Sequence, residues 1–334
     1  MTSFPRLLAL LALLATVAIQ TNAFGAVPSP NVVPARPGAS VCPWNFGTLN
    51  PNVVIFGDVS GTSLEIGGVA YVGGNLKTTG SSVGDRLPSP GPNQCNYVTL
   101  AVGGKVDPST TGRVFNGAVA VHTSDSVPDS IANPAGSAPG TNDLLCSTKG
   151  LTASQFTSMY NVGAAKAAAV LKNAAWSAMP STVKFEFPSW GGSYPSLVSV
   201  DGSPLFSKPN IFGMHVLNLS PAEISGLSNS VDAHAALIHS GKPLIINLPY
   251  QFAITTGDWS WIQSDRVVWN ANPRSTGIEV RVMISGMLMA PKAVLSGGAY
   301  IQGAAFIGSL ANGQGISFAG VPPTGTCSTI CRDD

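Results

Sequence analysis

The chain has 334 residues, of which 10% are charged, against roughly 25% in typical soluble domains. It carries 17 Lys and Arg against 16 Asp and Glu, so its net charge is close to zero. This balance argues against a nucleic-acid binder, which carries a basic excess, and against a polybasic membrane patch. The 37 glycines and 26 prolines are typical of a turn-rich β protein whose uncharged polar surface suits neutral polymers or self-contact.

Residues 1–23 have the pattern of a secretory signal peptide. Arg6 supplies a positive charge, the run from Leu7 to Ile19 is apolar, and Ala23 is a small residue at the cleavage position. An uncleaved anchor is the alternative. No later run reaches the ~18 apolar residues of a membrane span. We therefore expect a secreted protein that lies outside the cell, at its surface or in its wall, without a membrane span.

Three further segments follow the signal. Residues 24–43 are Pro-rich and predict an extended leader, residues 44–320 are expected to form a single domain, and residues 321–334 form a Cys-containing polar tail. Asn218 begins an Asn-Leu-Ser sequon and is a candidate glycan acceptor, although Pro221 weakens the signal.

Two stretches thirty residues apart share one pattern, an alternating strand that enters Gly-Gly and restarts: Val69 to Leu76 and Thr99 to Val106. Paired glycines reach backbone angles closed to β-branched residues, so they predict sharp corners. Gly286 to Ala290 is echoed seventeen residues later by Gly303 to Ile307, enough for one turn of a three-sided β-solenoid. Apolar runs predict further strands at 53–56, 118–121, 183–187, 214–217, 244–248, 267–269 and 278–283.

Residues 152–179 interrupt this β pattern and predict one long amphipathic helix. Apolar residues recur at helical spacing, Thr152 and Gln155 have the form of a capping box, and Pro180 closes the segment. Gly163 and Ala167 are small, so we expect them at the closest approach of the helix to the sheet. The predicted fold is therefore mainly β: a β-helix (β-solenoid) of short stacked strands, or rungs, with one long α-helix packed alongside.

This order of parts resembles the choice-of-anchor A family of adhesive domains, over about residues 44–318. The resemblance rests on Val54-Ile55-Phe56-Gly57-Asp58, on the stretches from Gly68 to Leu76 and from Leu100 to Val106, on the helix after them, and on Gly286 to Ala293, which is similar to the family's Gly-x-Leu-x-Ala-Pro-x-Ala turn. It implies a β-helix with a helix beside it, found in surface and secreted proteins. It also implies adhesion rather than catalysis, with no catalytic residues, metal ligands or cofactors to assign.

Five cysteines remain after signal cleavage: Cys42, Cys95, Cys146, Cys327 and Cys331. In a secreted chain they are disulfide candidates, and an odd number leaves one thiol free or bridged to another molecule. Cys95 and Cys146 border two long loops and form one candidate pair. Cys42 can bridge to a tail cysteine, which leaves the other for an intermolecular disulfide. Alternatively Cys327 bridges Cys331 and Cys42 stays free.

An enzyme would need a catalytic constellation, and the sequence does not show one. Histidines 234 and 239 are five residues apart, which does not fit helical metal ligation, and a Gly-x-Ser-x-Gly turn is not present. Five acidic residues could supply the facing carboxylates of a polysaccharide hydrolase or lyase: Asp58, Glu65, Asp85, Asp258 and Asp265. We expect a non-enzymatic protein, with catalysis as an alternative.

The densest aromatic cluster is formed by Trp259, Trp261 and Trp269. These rings are candidate carbohydrate contacts if exposed, or they fill the seam under the helix.

The expected role is structural or adhesive, at a cell surface, wall or extracellular matrix, with an extracellular polymer or a second copy as partner. A polysaccharide-binding or polysaccharide-processing protein is the alternative. Ice binding is a third reading, although no sustained Thr ladder marks the rungs.

Overall fold

The computed structural model describes residues 51–319, apart from 88–97, 116, 123–148, 153, 156, 158–160, 187–195, 212, 227–242 and 256–266. The described part is mostly β with two helices, which confirms the mainly β class. The strands before the long helix are β1 (Val53–Ile55), β2 (Val59–Thr62), β3 (Glu65–Ile66), β4 (Ala70–Val72), β5 (Leu76–Thr79), β6 (Ser81–Val83), β7 (Val98–Val102), β8 (Gly112–Val114), β9 (Ala118–His122) and β10 (Lys149–Leu151).

The long helix is α1 (Val162–Ser177), and a short helix α2 (Pro221–Gly226) lies further on. The strands that follow α1 are β11 (Val183–Glu186), β12 (Ser196–Ser199), β13 (His215–Asn218), β14 (Leu244–Asn247), β15 (Ala253–Ile254), β16 (Val267–Asn270), β17 (Gly277–Val280), β18 (Met283–Ser285), β19 (Met287–Ser296), β20 (Tyr300–Gln302), β21 (Ala305–Gln314) and β22 (Ser317–Phe318).

These strands form two sheets in which the pairs are parallel except for β11 with β12. The larger sheet follows the order β10-β9-β7-β4-β1-β21-β19-β16-β14-β13-β11-β12, with β2, β5, β15 and β17 branching from β21 and β19. The smaller sheet has the order β18-β20-β22-β3-β6-β8. Parallel strands need a crossover, and the chain passes, for example, from β1 through β2 and β3 before it reaches β4.

The strands repeat in threes. β1, β2 and β3 pair with β4, β5 and β6 respectively, so the chain returns to the same three positions one level further along the stack. The level-to-level register is seventeen residues for Val53 with Ala70, and again for Leu288 with Ala305. The sequence prediction that the echoed stretches stack on one another is confirmed, since Ala70 lies opposite Leu100, thirty residues on.

The Gly-Gly corners arise from close backbone approach rather than from unusual backbone angles, which corrects the sequence interpretation. Gly73, Gly74, Gly103 and Gly104 are not among the residues with positive φ. A Cβ at Gly104 would lie 2.5 Å from the carbonyl carbon and oxygen of Gly74 on the neighbouring level. The backbones therefore stack too closely at these corners for any side chain.

The chain does not wind along the stack in one direction. From β1 it proceeds outward through β4, β7 and β9 to β10, and after α1 it resumes at the opposite end with β11. It then returns inward until β21 lies directly beside β1, with Val53 opposite Ala305. The helix covers about half of this jump, because its sixteen residues span ~24 Å, or five strand spacings of ~4.8 Å, whereas β10 and β11 lie ten spacings apart in the sheet order.

The helix begins later than the sequence predicted. Thr152 and Gln155 do form the reciprocal hydrogen bonds of a capping box, but α1 begins at Val162, where the Asn161 Oδ1 atom accepts a hydrogen bond from the Ala164 N–H. Residues 153, 156 and 158–160 of the predicted helix lie outside the described residues.

The predicted contact face of the helix is wrong. Gly163 and Ala167 are exposed, and a Cβ at Gly163 would contact only Oδ1 of Asn161, at 3.9 Å, and no part of the sheet. The buried residues are Ala165, Ala169, Asn173 and Trp176. The reason is that the sequence offers two apolar stripes around the helix, and the docked one contains a polar Asn that satisfies partners on the sheet. The outer stripe leaves Leu171 72% exposed.

Two apolar clusters hold the fold together. One lies inside the stack of levels and is lined mainly by aliphatic side chains that alternate inward, such as Ile55, Ile246 and Leu288. The other lies between the helix and the first strand position, where Tyr71, Ile245 and Phe306 meet Ala169 and Trp176. This strand position is therefore buried on both faces, as its continuous apolar runs require.

Candidate functional site

A row of asparagines, of which Asn173, Asn247 and Asn270 are buried, fixes the helix to the stack. Asn218, Asn247 and Asn270 end three neighbouring strands and lie opposite one another in register. The Nδ2 group of Asn247 donates to Oδ1 of Asn218 at 2.7 Å, and that of Asn270 donates to Oδ1 of Asn247 at 2.7 Å. Asn173 of α1 completes this asparagine ladder, since its Nδ2 group donates to Oδ1 of Asn270 at 2.8 Å.

Further groups of the helix bind the ladder. The Nδ2 group of Asn247 donates to the carbonyl of Trp176 at 2.8 Å, and that of Asn270 donates to the Ser177 hydroxyl at 3.0 Å. Burying an amide without partners costs about 1–3 kcal/mol, so only one placement of the helix satisfies all these groups. The ladder thus sets the position of α1 and leaves the other two strand positions uncovered by it.

Sequence reasoning missed this ladder, although a signal was present. The strands His215–Asn218, Leu244–Asn247 and Val267–Asn270 each run through three residues, mostly apolar, into a terminal Asn. A polar amide at one position of successive stacked strands is typical of a ladder.

A second ladder of polar groups runs along the corner after the first strand position. The Asp58 Oδ1 atom accepts a hydrogen bond from the N–H of Asn75 at 2.7 Å, and the Asn75 Oδ1 atom accepts one from the N–H of Lys105 at 2.9 Å. Each side chain therefore binds the backbone of the next level. Asp58 acts here in turn geometry, which gives this candidate carboxylate a structural role.

The smaller sheet carries an outward row with one side chain for each level. Its members share a register position opposite one another, and they are Met283, Tyr300, Ser317, Glu65, Ser82 and Arg113. The alternate residues of the same strands, such as Ile66 and Val83, point into the apolar interior. We call this row the small-sheet face. It spans six levels, ~24 Å at ~4.8 Å per level.

The small-sheet face is chemically mixed. Met283, Glu65 and Arg113 are exposed, Tyr300 and Ser82 are half-buried, and Ser317 is largely covered. It therefore combines an apolar end, hydroxyl groups in the middle and two opposite charges, on strands that pair without a register shift.

Among the predicted aromatic contacts, Trp269 is contradicted as a carbohydrate contact. It is 0% exposed, lies inside the stack and donates from Nε1 to the Ser285 carbonyl at 2.9 Å. The seam under the helix is filled by Trp176 instead. A tryptophan side chain that points from a strand into the stack is fully removed from water, so its indole N–H needs a hydrogen-bond partner. Trp259 and Trp261 lie outside the described residues, as do Cys42, Cys95, Cys146, Cys327 and Cys331.

The candidate glycan acceptor Asn218 is exposed at the end of the asparagine ladder. Its Nδ2 atom, to which a glycan would be attached, donates to the Met179 carbonyl at 3.0 Å. Its Oδ1 atom accepts from Asn247. Glycosylation at this position stays a prediction, and the same amide has a structural role in the folded chain.

The candidate carboxylates occupy different elements. Asp58 lies after β1, Glu65 in β3 and Asp85 after β6, and all three are exposed, while Asp258 and Asp265 lie outside the described residues. Among the described residues, no group of three or more His, Cys, Asp or Glu side chains could hold a metal ion. Neither described helix has the length and hydropathy of a membrane span.

Two carboxylates have a lowered pKa. Hydrogen bonds from the side chain and backbone of Ser203, followed by one from Lys208, lower the pKa of Asp201 to about 2. Hydrogen bonds from Ser109, with a smaller contribution of Lys77, lower the pKa of Asp107. Both groups sit in turns, and a carboxyl that is kept ionised in this way stabilises its turn and is a poor proton donor at neutral pH.

Comparison with known proteins gives one family match. Residues 50–318 match the family described as "Putative Ice-binding-like adhesive domain". No curated protein and no solved structure matches the chain. The family match covers nearly the whole described region, including the levels on both sides of the helix. The chain therefore belongs to the ice-binding-like adhesive domain family.

Proposed function

We propose that this protein is a secreted, non-enzymatic adhesive β-solenoid that acts at a cell surface, in a cell wall or in an extracellular matrix. The observation that carries the proposal is the small-sheet face, a row of outward side chains at a constant level spacing on a rigid support. Its partner is an extracellular polymer with repeating neutral units. The uncharged composition and the adhesive family support this reading.

Three more specific assignments belong to this proposal: a single β-solenoid, the choice-of-anchor A family and an intermolecular disulfide. The three strand positions and the seventeen-residue return favour a single β-solenoid, interrupted where α1 carries the chain to the other end. The order of the corner motifs around the helix favours the choice-of-anchor A branch of adhesive domains. A cysteine of the tail, outside the described residues, would attach the protein to a neighbour by an intermolecular disulfide.

A polysaccharide chain fits the small-sheet face better than a protein partner does. The levels repeat every ~4.8 Å, close to the length of one sugar unit in an extended polysaccharide. The Tyr300 ring can stack on the apolar face of a sugar ring, and Ser82 and Arg113 can donate hydrogen bonds to its hydroxyl groups. Each contact is weak, so binding grows with the number of levels that engage.

The test is retention on insoluble wall polysaccharides, such as cellulose, chitin and mixed-linkage glucan. Wild type should sediment with at least one of them, and Tyr300→Ala should reduce retention several-fold. Tyr250→Ala is the matched control, because Tyr250 is 51% exposed but lies outside the small-sheet face. Equal retention of the two variants would show that this face is not the binding surface.

Ice binding is the second candidate, and the family match favours it. Ice recognition needs a flat face with regular hydroxyl groups. Thr62 and Thr79 are paired on neighbouring strands, but the rows of the described faces also contain Lys77, Glu65 and Arg113. Thermal hysteresis measured on purified protein separates the two functions: hysteresis without polysaccharide retention would favour ice.

A further inference from the structure

A second uncovered surface has a charge pattern that is complementary to itself. It consists of the outward row of the middle strand position, and we call it the lateral face: Asp107, Lys77, Ser60, Ala311, Ser296 and Glu279. The order of this row follows from the pairs Leu76 with Val106, Ser60 with Lys77, Val59 with Leu310, Leu295 with Leu310, and Glu279 with Ser296.

The order of charges is the basis of the argument. After Asp107 at one end, the lateral face reads Lys77, Ser60, Ala311, Ser296 and Glu279, so a cation and an anion stand two levels to either side of Ala311. Rotation by 180° about an axis through Ala311 exchanges Lys77 with Glu279 and Ser60 with Ser296. The row is therefore complementary to a second copy of itself in the antiparallel orientation.

The neighbouring charges flank this pairing. Lys77 forms an ion pair with Asp107 at 3.5 Å, and Glu279 forms one with Arg281, two residues further along the chain. In the antiparallel pair, Lys77 of one copy would meet Glu279 of the other, whereas Asp107 would lie opposite Ala253, which is the neighbour of Glu279 one level further. The central residues Ser60, Ala311 and Ser296 are half-buried and small, so a second copy can approach them closely. The register of β2 with β21 shifts by one residue beside Ala311, so the centre of the face is irregular.

We propose that the lateral face is a homotypic contact, through which two copies of this chain associate face to face about a two-fold axis at Ala311. This deepens the proposed adhesive function, and its biological meaning rests on that function. A partner with charges of one sign, or a neutral polymer, cannot offer an opposite charge to both Lys77 and Glu279. A second copy offers both, which favours it as the occupant.

The size of the face determines how strong the contact is. Six levels of ~4.8 Å and strands of about four residues at ~3.3 Å give ~300 Å² per partner. A stable complex buries ~800 Å² per partner, so one contact is weak and dissociates readily. Such contacts become effective when many copies are displayed on opposing surfaces, as in cell-to-cell adhesion.

The test is sedimentation equilibrium of the full secreted chain at high protein concentration and low salt, with reducing agent present to exclude disulfide-linked pairs. Wild type should show reversible dimerisation that weakens as salt is added, because the contacts are charged and exposed. Lys77→Glu and Glu279→Lys should each abolish it, since each places like charges opposite one another. Lys166→Glu, which changes an exposed lysine on the outer side of α1, is the matched control and should dimerise like wild type.

A mixture of the two single variants gives the sharpest result. The glutamate introduced at position 77 of one variant would face the lysine introduced at position 279 of the other, and the unchanged Glu279 of the first would face the unchanged Lys77 of the second. The mixture should therefore form a heterodimer, although neither variant dimerises alone. The double variant Lys77→Glu/Glu279→Lys should dimerise again.

Two results would overturn the proposal: a wild type that stays monomeric at every concentration, or single variants that dimerise like wild type. Polysaccharide retention by a strictly monomeric wild type would leave the proposed adhesive function standing without this contact.

Discussion

Asn270 shows how much a single residue contributes to this fold. Its side chain is 0% exposed, and it links two strands and the helix through hydrogen bonds to Asn247, Asn173 and Ser177. A buried amide without hydrogen-bond partners costs free energy, whereas a buried amide with its partners selects one arrangement of the surrounding chain. The apolar residues of the same strands were predictable from the sequence. The role of this polar residue was not, because one strand does not show which partner lies above it.

We predict that Asn270→Leu destabilises the fold by about 1–3 kcal/mol, since a leucine of similar volume leaves the amides of Asn173 and Asn247 without this partner. Denaturant unfolding of wild type and variant measures the difference. Asn272→Ala is the control, because the Asn272 side chain accepts a hydrogen bond in an exposed turn, from the N–H of Arg274. An equal effect of the two substitutions would count against the ladder.

Asp201 gives a prediction about pH. The folded pKa of about 2 lies below the ~3.9 of an unfolded aspartate, so the hydrogen bonds of its carboxylate stabilise the fold fully above that unfolded value. This contribution is lost as the pH falls through about 2. Carboxyl-carbon NMR should place the midpoint of Asp201 near a pH of about 2, and Asp201→Asn should remove this titration. A midpoint close to ~3.9 would show that the turn does not hold the carboxylate as described.

At the scale of elements, the sequence identified the helix but not its orientation. Both the inner and the outer side of α1 are rich in small residues, so hydrophobic spacing alone could not choose between Ala165 and Ala169 on one side and Gly163 and Ala167 on the other. The sheet decides, because it offers amide partners only to the side that carries Asn173. Tertiary hydrogen bonds thus select between two similar apolar stripes.

We predict opposite outcomes for two similar substitutions in α1. Ala169→Leu should cost roughly 1–3 kcal/mol, because Ala169 is 0% exposed between the helix and the sheet and the larger side chain overpacks that seam. Ala167→Leu should change stability by less than ~0.5 kcal/mol, since Ala167 is exposed. Thermal and denaturant unfolding of both variants measure this. A larger loss for Ala167→Leu would mean that the helix docks through its other face.

At the scale of the whole described region, the local repeats were predictable and the closing contact was not. Echoed motifs along the chain predicted that β4 and β7 occupy the same strand position and that β19 stacks on β21, and both pairs form. The pairing of β1 with β21 joins strands at nearly opposite ends of the described chain, and neither strand carries a signal for it. It follows from the segment that contains α1, after which the chain resumes at the far end of the sheet and the remaining levels return towards β1.

The arrangement of the whole described region also explains why the sequence predicted only part of the function. The outward rows are assembled from residues of distant segments, such as Glu65, Arg113 and Tyr300, which come together only in the folded sheet. The proposed adhesion through such rows would need no catalytic geometry in the local sequence. Composition and the order of motifs indicated the adhesive class, while the faces themselves required the register of the strands.

The central claim, adhesion without turnover, is tested most directly by one suspension of wall polysaccharide in which retained protein and released soluble sugar are measured together. The account predicts that wild type is retained and that soluble sugar stays at the level of the protein-free control. Release of sugar by wild type that is abolished by Asp58→Asn, Glu65→Gln or Asp85→Asn would contradict the account and identify an enzyme.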